Sequence, residues 1–189
     1  MKTEIKVIKS LIEKKKETIR EIAKQIKADY RITYIAVQRL IEKKIINIEI
    51  VGKSILCRLE NGWAIEICEA EEERKQSILK ISNIKQLYKE LIAKVNTSFY
   101  VLLLFGSYAK RKQTENSDID LLFISNEKEF ENKITAILSM LPLKTHALVF
   151  TEEEFVRMKD AKKPNVVQEA IENNIILYGC EAYNRMKNA

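Results

Sequence analysis

The sequence predicts an α+β protein in two parts: a small N-terminal unit of three helices and a hairpin, then a mixed sheet with flanking helices. Three observations carry this. In the first sixty residues, apolar side chains recur three times at helical spacing, and two strand-like runs follow around Gly52-Lys53. Farther on, the unbroken apolar runs Val101–Phe105 and Leu121–Ile124 demand burial on both sides, as strands of a covered sheet do. Amphipathic helical patterns fill the rest, and only four Gly and two Pro occur in 189 residues, so loops should be short.

Ile5, Ile8, Leu11 and Ile12 place a first helix over about 3–14. Thr18 starts a second, with Glu21 three residues on as its capping-box partner and Ile19, Ile22, Ala23 and Ile26 as its stripe. Lys27-Ala-Asp-Tyr30 reads as a turn. A third helix follows over about 31–44, with Ile32, Ile35, Leu40 and Ile41 expected to face inward. Ile46–Val51 and Ser54–Leu59 read as two strands of a hairpin.

Asn61-Gly62 breaks the chain, and Trp63–Cys68 reads as a short apolar connector. One helix is expected from about 71 to 96, carrying Leu79, Ile84, Leu87, Leu91 and Val95. The expected parts are thus 1–67 and 68–189, with 68–97 a leading connector and helix. After the strand at Leu121, Lys128–Leu141 is amphipathic and Pro142 ends it. Leu143–Phe150 reads as a strand. Thr151 and Glu154 form another capping box, and a last long helix is expected over about 164–176, with Pro164 in its first turn.

Charge is unevenly spread. Residues 1–60 hold 15 Lys/Arg against 8 Asp/Glu, a net of +7, whereas residues 61–189 hold 18 against 19, a net of −1. A localised basic excess is the footprint of a phosphate-backbone binder; solvated helix faces are the alternative. Cys57, Cys68 and Cys180 are odd in number and lack metal-ligand spacing, as for buried thiols in a reducing cytoplasm. No apolar stretch approaches membrane-spanning length, so a cytoplasmic protein is expected.

The segment from Leu102 to Ile124 carries the chemistry. An apolar run ends in Gly106-Ser107, and after a ten-residue spacer come Asp118 and Asp120. Residues two apart on a strand share a face, so the two carboxylates should lie side by side. Paired acids repel unless a cation sits between them, and hard oxygen ligands with few neighbours suit Mg²⁺.

This pattern of Gly-Ser, spacer and Asp-x-Asp resembles the nucleotidyltransferase superfamily signature. Its spacer, and the wording Ser117-Asp-Ile-Asp-Leu-Leu122, resemble the minimal branch of that superfamily. The resemblance implies a nucleotidyltransferase-fold mixed sheet and Mg²⁺-dependent transfer of a nucleotidyl group from an NTP, with ATP the first candidate. Asp118 and Asp120 would then be the catalytic metal ligands. Gly106 and Ser107 would hold the triphosphate, and Lys110 and Arg111, with Lys112 beside them, would neutralise its charge.

One departure stands out. Active members of the superfamily usually carry a third carboxylate on the next strand. Here that strand reads Leu143-Lys-Thr-His-Ala-Leu-Val-Phe150, with His146 about where the acid belongs. A neutral imidazole is a poor Mg²⁺ ligand. Polar placement at a strand edge also explains His146.

The first sixty residues resemble a winged helix-turn-helix, and Thr18-Ile-Arg-Glu-Ile-Ala-Lys-Gln-Ile26 resembles the motif's first helix in many prokaryotic regulators. That implies double-stranded DNA as a partner. Arg31, Thr33, Tyr34 and Gln38 would face the major groove, and Lys53 on the wing would reach a phosphate or the minor groove. Three readings of the whole chain stay open. It transfers nucleotidyl groups to an unknown acceptor; it is a transcription regulator whose degenerate fold senses nucleotide; or it is an antitoxin-type module that binds a toxin partner. Members of the minimal branch are often antitoxins, which makes a protein acceptor one candidate. A homodimer is a further possibility.

Overall fold

The computed structural model describes residues 2–52, 54–60, 62–97 and 99–188. The chain divides into two compact units, one running up to Glu71 and the other from Glu72 to Lys187. The boundary drawn from sequence lies after residue 67.

The first unit begins with α1 (Thr3–Lys14), which buries Ile5, Ile8 and Leu11. A short strand, β1 (Lys16–Thr18), comes next and had no sequence signal. It has three residues, two of them charged, and its pairing is made by backbone groups. Thr18 also caps α2 (Ile19–Gln25): its hydroxyl accepts from the Glu21 N–H, and the Glu21 carboxylate accepts from the Thr18 N–H. That is the predicted capping box. Asp29 caps α3 (Tyr30–Glu42) by accepting from the Arg31 N–H at 2.8 Å. β2 (Ile46–Val51) and β3 (Ser54–Leu59) have the predicted bounds. Gly52 turns between them with φ +61°, a conformation that suits glycine. The sheet is antiparallel in the order β1-β3-β2.

The phase of α3 corrects the sequence reading. Ile32 and Ile35, expected inside, are exposed, and the buried positions are Thr33, Ala36, Val37 and Leu40. Apolar residues occupy both arcs of this helix, so its pattern fits two rotations. The core of Ile8, Leu11, Ile22 and Cys57 selects the one that admits the smaller side chains.

A second correction concerns the helix expected over 71–96. There are two: α4 (Ile65–Ile78), whose first turn takes in part of the expected connector, and α5 (Ser82–Lys94). No Gly or Pro marks the break. Ile78 and Ile84 are both fully buried in one core, yet on a continuous helix six residues put them roughly 120° apart. Interrupting the helix lets both point inward.

The sheet of the second unit is built from β4 (Val101–Phe105), β5 (Ile119–Ile124), β6 (Thr145–Phe150) and β7 (Ile175–Tyr178), in the order β6-β5-β4-β7. β4 runs antiparallel to β5 and β7, while β5 and β6 are parallel, so the sheet is mixed. A four-residue helix, α6 (Gly106–Ala109), follows β4. α7 (Phe130–Ser139) links β5 to β6, and α8 (Glu152–Lys159) and α9 (Val166–Glu172) link β6 to β7. The chain then enters α10 (Cys180–Asn188). β7 and α10 were not anticipated, and the last expected helix ends at Glu172 instead of about 176. Ile175–Tyr178 is a short apolar run that periodicity alone cannot tell from a helix end.

Strand alternation divides the core. Leu102, Leu104, Leu121 and Phe123 pack with Leu87 and Leu91 of α5 and Ile134 of α7. Leu103, Phe105, Leu122 and Ile124 pack on the other face with Phe155, Val167, Ala170 and Tyr183 of α8, α9 and α10. Both faces of the sheet are covered, which is why β4 and β5 read as unbroken apolar runs.

Candidate functional site

Asp120 sits on β5 between Ile119 and Leu121, both of which face the α5–α7 core. Its side chain therefore shares the opposite face with Leu122 and Ile124, beneath the helices that include α9. Asp118 lies just before the strand and is exposed. Across the sheet, Asp120 pairs with Phe105, the residue before the Gly-Ser turn.

That pairing explains Gly106. Its φ is +64°, and a Cβ added there would lie 2.1 Å from Asp120 Oδ2 and 2.9 Å from Asp120 Cγ. The carboxylate occupies the space that a side chain would fill. Tyr108, buried in the α5–α7 core, anchors the turn from the other side. The Ser107 hydroxyl has no hydrogen-bond partner among the described residues, and its carbonyl accepts from the Lys112 N–H.

The register on the other side puts Asp120 directly opposite His146 on the parallel strand β6. His146 Nδ1 lies 3.5 Å from Asp120 Oδ1; the imidazole is 59 % exposed and the carboxylate 27 %. His146 thus faces Asp120 from the neighbouring strand. Burial pushes the Asp120 carboxyl above its ordinary range, and the negative charges of Asp118 and Glu169 add to that, while the hydrogen bond from His146 pulls it down.

Glu169 is a residue that sequence reasoning missed. It lies on α9, whose Val167 and Ala170 pack on the same sheet face that carries Asp120. Its Oε1 accepts from Lys110 Nζ at 3.0 Å. No sequence signal marks it, because its neighbours in the site are contributed by strands far earlier in the chain. Lys110 is thus held by a carboxylate at the site, and Arg111 donates to Ser77 Oγ at 2.7 Å. Arg111 also has φ +53°, a left-handed backbone uncommon for residues other than glycine.

Among the described residues no cluster of three or more His, Cys, Asp or Glu side chains is arranged to hold a metal ion by itself. Two carboxylates are nevertheless a fitting donor set for Mg²⁺, which takes one or two from protein and the rest from phosphates and water.

In the first unit, Arg31, Tyr34 and Gln38 lie on the outward arc of α3, with Gln38 half-buried. Thr33 does not. It is fully buried, and its hydroxyl donates to the Asp29 carbonyl at 2.9 Å, so it cannot reach a ligand. The inward rotation that exposes Ile32 and Ile35 turns Thr33 inside. Lys53 lies outside the described residues.

No helix among the described residues is long and apolar enough to cross a membrane. No curated protein and no solved structure matches the chain. Residues 85–182, just over half of the chain, match the family described as polymerase beta, nucleotidyltransferase. The match takes in the Gly-Ser turn, both aspartates, His146 and Glu169, and with it the chain belongs to the polymerase beta nucleotidyltransferase family.

Proposed function

We propose that the second unit binds an NTP, ATP first among them, together with Mg²⁺, and transfers its nucleotidyl group to an acceptor hydroxyl. The observation that carries this reading is the packing of the Asp120 carboxylate against Gly106 Cα, which sets the acid directly beside the turn that would receive the triphosphate. Asp118 and Asp120 would hold the metal. When bound, Mg²⁺ would supply the charge neutralisation that phosphoryl chemistry needs.

The chain's own groups have separate tasks. Gly106 leaves room for the Asp120 carboxylate against the turn, and the Ser107 hydroxyl donates to a phosphate oxygen. Lys110 exchanges Glu169 for phosphate oxygens. The exchange is inexpensive, because an ion pair this exposed contributes about 1 kcal/mol or less. In the transfer, a bond forms between the acceptor oxygen and the α-phosphorus as the bond to pyrophosphate breaks, and the acceptor's proton passes to a base. His146 and Glu169 are the groups beside the acid pair that can take it.

A second reading is favoured by His146. With an imidazole where a third carboxylate usually stands, the site is suited to holding nucleotide more than to turning it over, as in a nucleotide-sensing regulator. The first unit supports the regulatory part of that reading. Its element order α1-β1-α2-α3-β2-β3 supports reading it as a winged helix-turn-helix, and the charge of +7 over residues 1–60 suits double-stranded DNA. A protein acceptor, a toxin partner and a homodimer belong to the same proposal as further partners.

The test is calorimetry with ATP and Mg²⁺ on the wild type and on Asp118→Asn/Asp120→Asn. The variant should lose Mg²⁺-dependent binding and keep its fold. Unchanged affinity would remove the nucleotide-binding reading. Incubation with labelled ATP and candidate acceptors then separates transfer from sensing.

A further inference from the structure

The exposed face of α3 has a chemistry of its own. Its buried arc is Thr33, Ala36, Val37 and Leu40. The opposite arc presents Arg31, Tyr34, Ile35 and Gln38, with Tyr30 and Ile32 at its sides. Ile32 is 53 % exposed and Ile35 43 %. They lie three residues apart and so are neighbours on the helix surface. Tyr30 and Tyr34 stack on the other side of the arc, with centroids 6.4 Å apart. The two exposed isoleucines lie along one side of this face and the stacked tyrosines along the other, with Arg31 and Gln38 between them.

The charge around this face restricts the occupant. From Tyr30 to Ile41 there is no carboxylate, and Asp29 is engaged as the helix cap. Arg39 is held by Glu4 at 3.0 Å, whereas the Arg31 guanidinium has no ion-pair partner among the described residues. With a net of +7 over residues 1–60, a second copy would set like charge against like. A polyanion is the complementary partner. For isoleucine to gain from contact with duplex DNA it must meet an apolar group. On the base edges of the major groove that group is the C5 methyl of thymine.

We propose that α3 recognises thymine methyl groups in the major groove through Ile32 and Ile35. Gln38, one turn beyond Ile35, presents an amide that matches adenine, and Arg31 supplies the phosphate or guanine contact. This rests on the reading of the first unit as a DNA binder and adds what it reads. The rotation that puts Thr33 inside is what puts both isoleucines on this surface.

The experiment uses the full chain and a duplex enriched from a random-sequence pool by repeated binding. Each thymine in turn is replaced by deoxyuridine, which removes only the methyl group. Affinity should fall about fourfold at each thymine whose methyl is buried. Ile32→Ala or Ile35→Ala should abolish the preference for thymine over uracil at its own position while leaving the salt dependence in place. Both side chains are exposed, so the variants should melt as the wild type does. Equal binding of thymine and uracil duplexes, or a preference that survives both substitutions, would overturn the inference and leave the DNA reading standing. No salt-dependent binding to any duplex would remove the DNA reading itself. A dimer in sedimentation that Ile32→Ser/Ile35→Ser dissociates would assign the face to a second copy and overturn the inference too.

Discussion

Replacing Gly106 by alanine tests the geometry on which the site depends. Two separate costs arise. The backbone at φ +64° is left-handed, which costs an L-residue roughly 1–2 kcal/mol. The new methyl would also lie 2.1 Å from Asp120 Oδ2 and 2.9 Å from Cγ. Because Cγ itself is too close, turning the carboxylate about its last bond cannot relieve the clash. The whole side chain must swing, which breaks its contact with His146, or the turn must shift. Overpacking of this kind costs about 1–3 kcal/mol, so the total is about 2–5 kcal/mol. For a domain of about 100 residues that lowers the melting temperature by roughly 8–20 °C, read by calorimetry. Gly106→Ala/Asp120→Ala separates the two costs. Without the carboxylate the two shortest contacts are gone and only Asp120 Cβ at 3.3 Å stays close, so most of the overpacking is lost, leaving a coupling of up to about 3 kcal/mol between the positions. Additive melting shifts would refute the close approach of Asp120 to the turn, and a neutral Gly106→Ala would refute the strain as well.

Other consequences follow from neighbouring residues. Asp120 holds its proton more tightly in the folded chain than in the unfolded one, chiefly because it is partly buried, so its ionisation opposes folding. Stability should therefore fall as pH rises from the ordinary aspartate value of 3.8 through the raised folded one; Asp120→Asn should flatten that fall and melt no lower than wild type at neutral pH, as thermal scans from pH 3 to 8 would register. Thr33→Val removes a buried hydroxyl that donates to the Asp29 carbonyl and should cost about 0.5–1.5 kcal/mol in denaturant titrations without changing DNA affinity. His146→Asp places a carboxylate opposite Asp120 and should raise both Mg²⁺ affinity and transfer of labelled nucleotide. Robust transfer by the wild type that this substitution reduces would show a site complete as it stands.

Local chemistry in the sequence determined much of this protein. Thr18 with Glu21, and Thr151 with Glu154, announce their helices because capping joins groups three residues apart. The strands on either side of Gly52, and β4 before Gly106, are legible because side-chain alternation and apolar burial leave their mark on neighbouring residues. The Asp-x-Asp spacing is legible too, although Asp118 lies just before β5 and only Asp120 lies on it.

Tertiary structure alone decided the rest. α3 carries apolar side chains on both arcs, so only the core it meets selects Thr33 for the inside and leaves Ile32 and Ile35 outside. The break between α4 and α5 carries no helix-breaking residue and follows from burying Ile78 and Ile84 together. β1 exists through the backbone bonds that β3 offers it. His146 faces Asp120 because of the register between two strands, and Glu169 reaches Lys110 because α9 packs on the sheet face that Asp120 occupies. Contacts between residues far apart in sequence depend on how whole elements pack, and no local pattern of residue types records that choice.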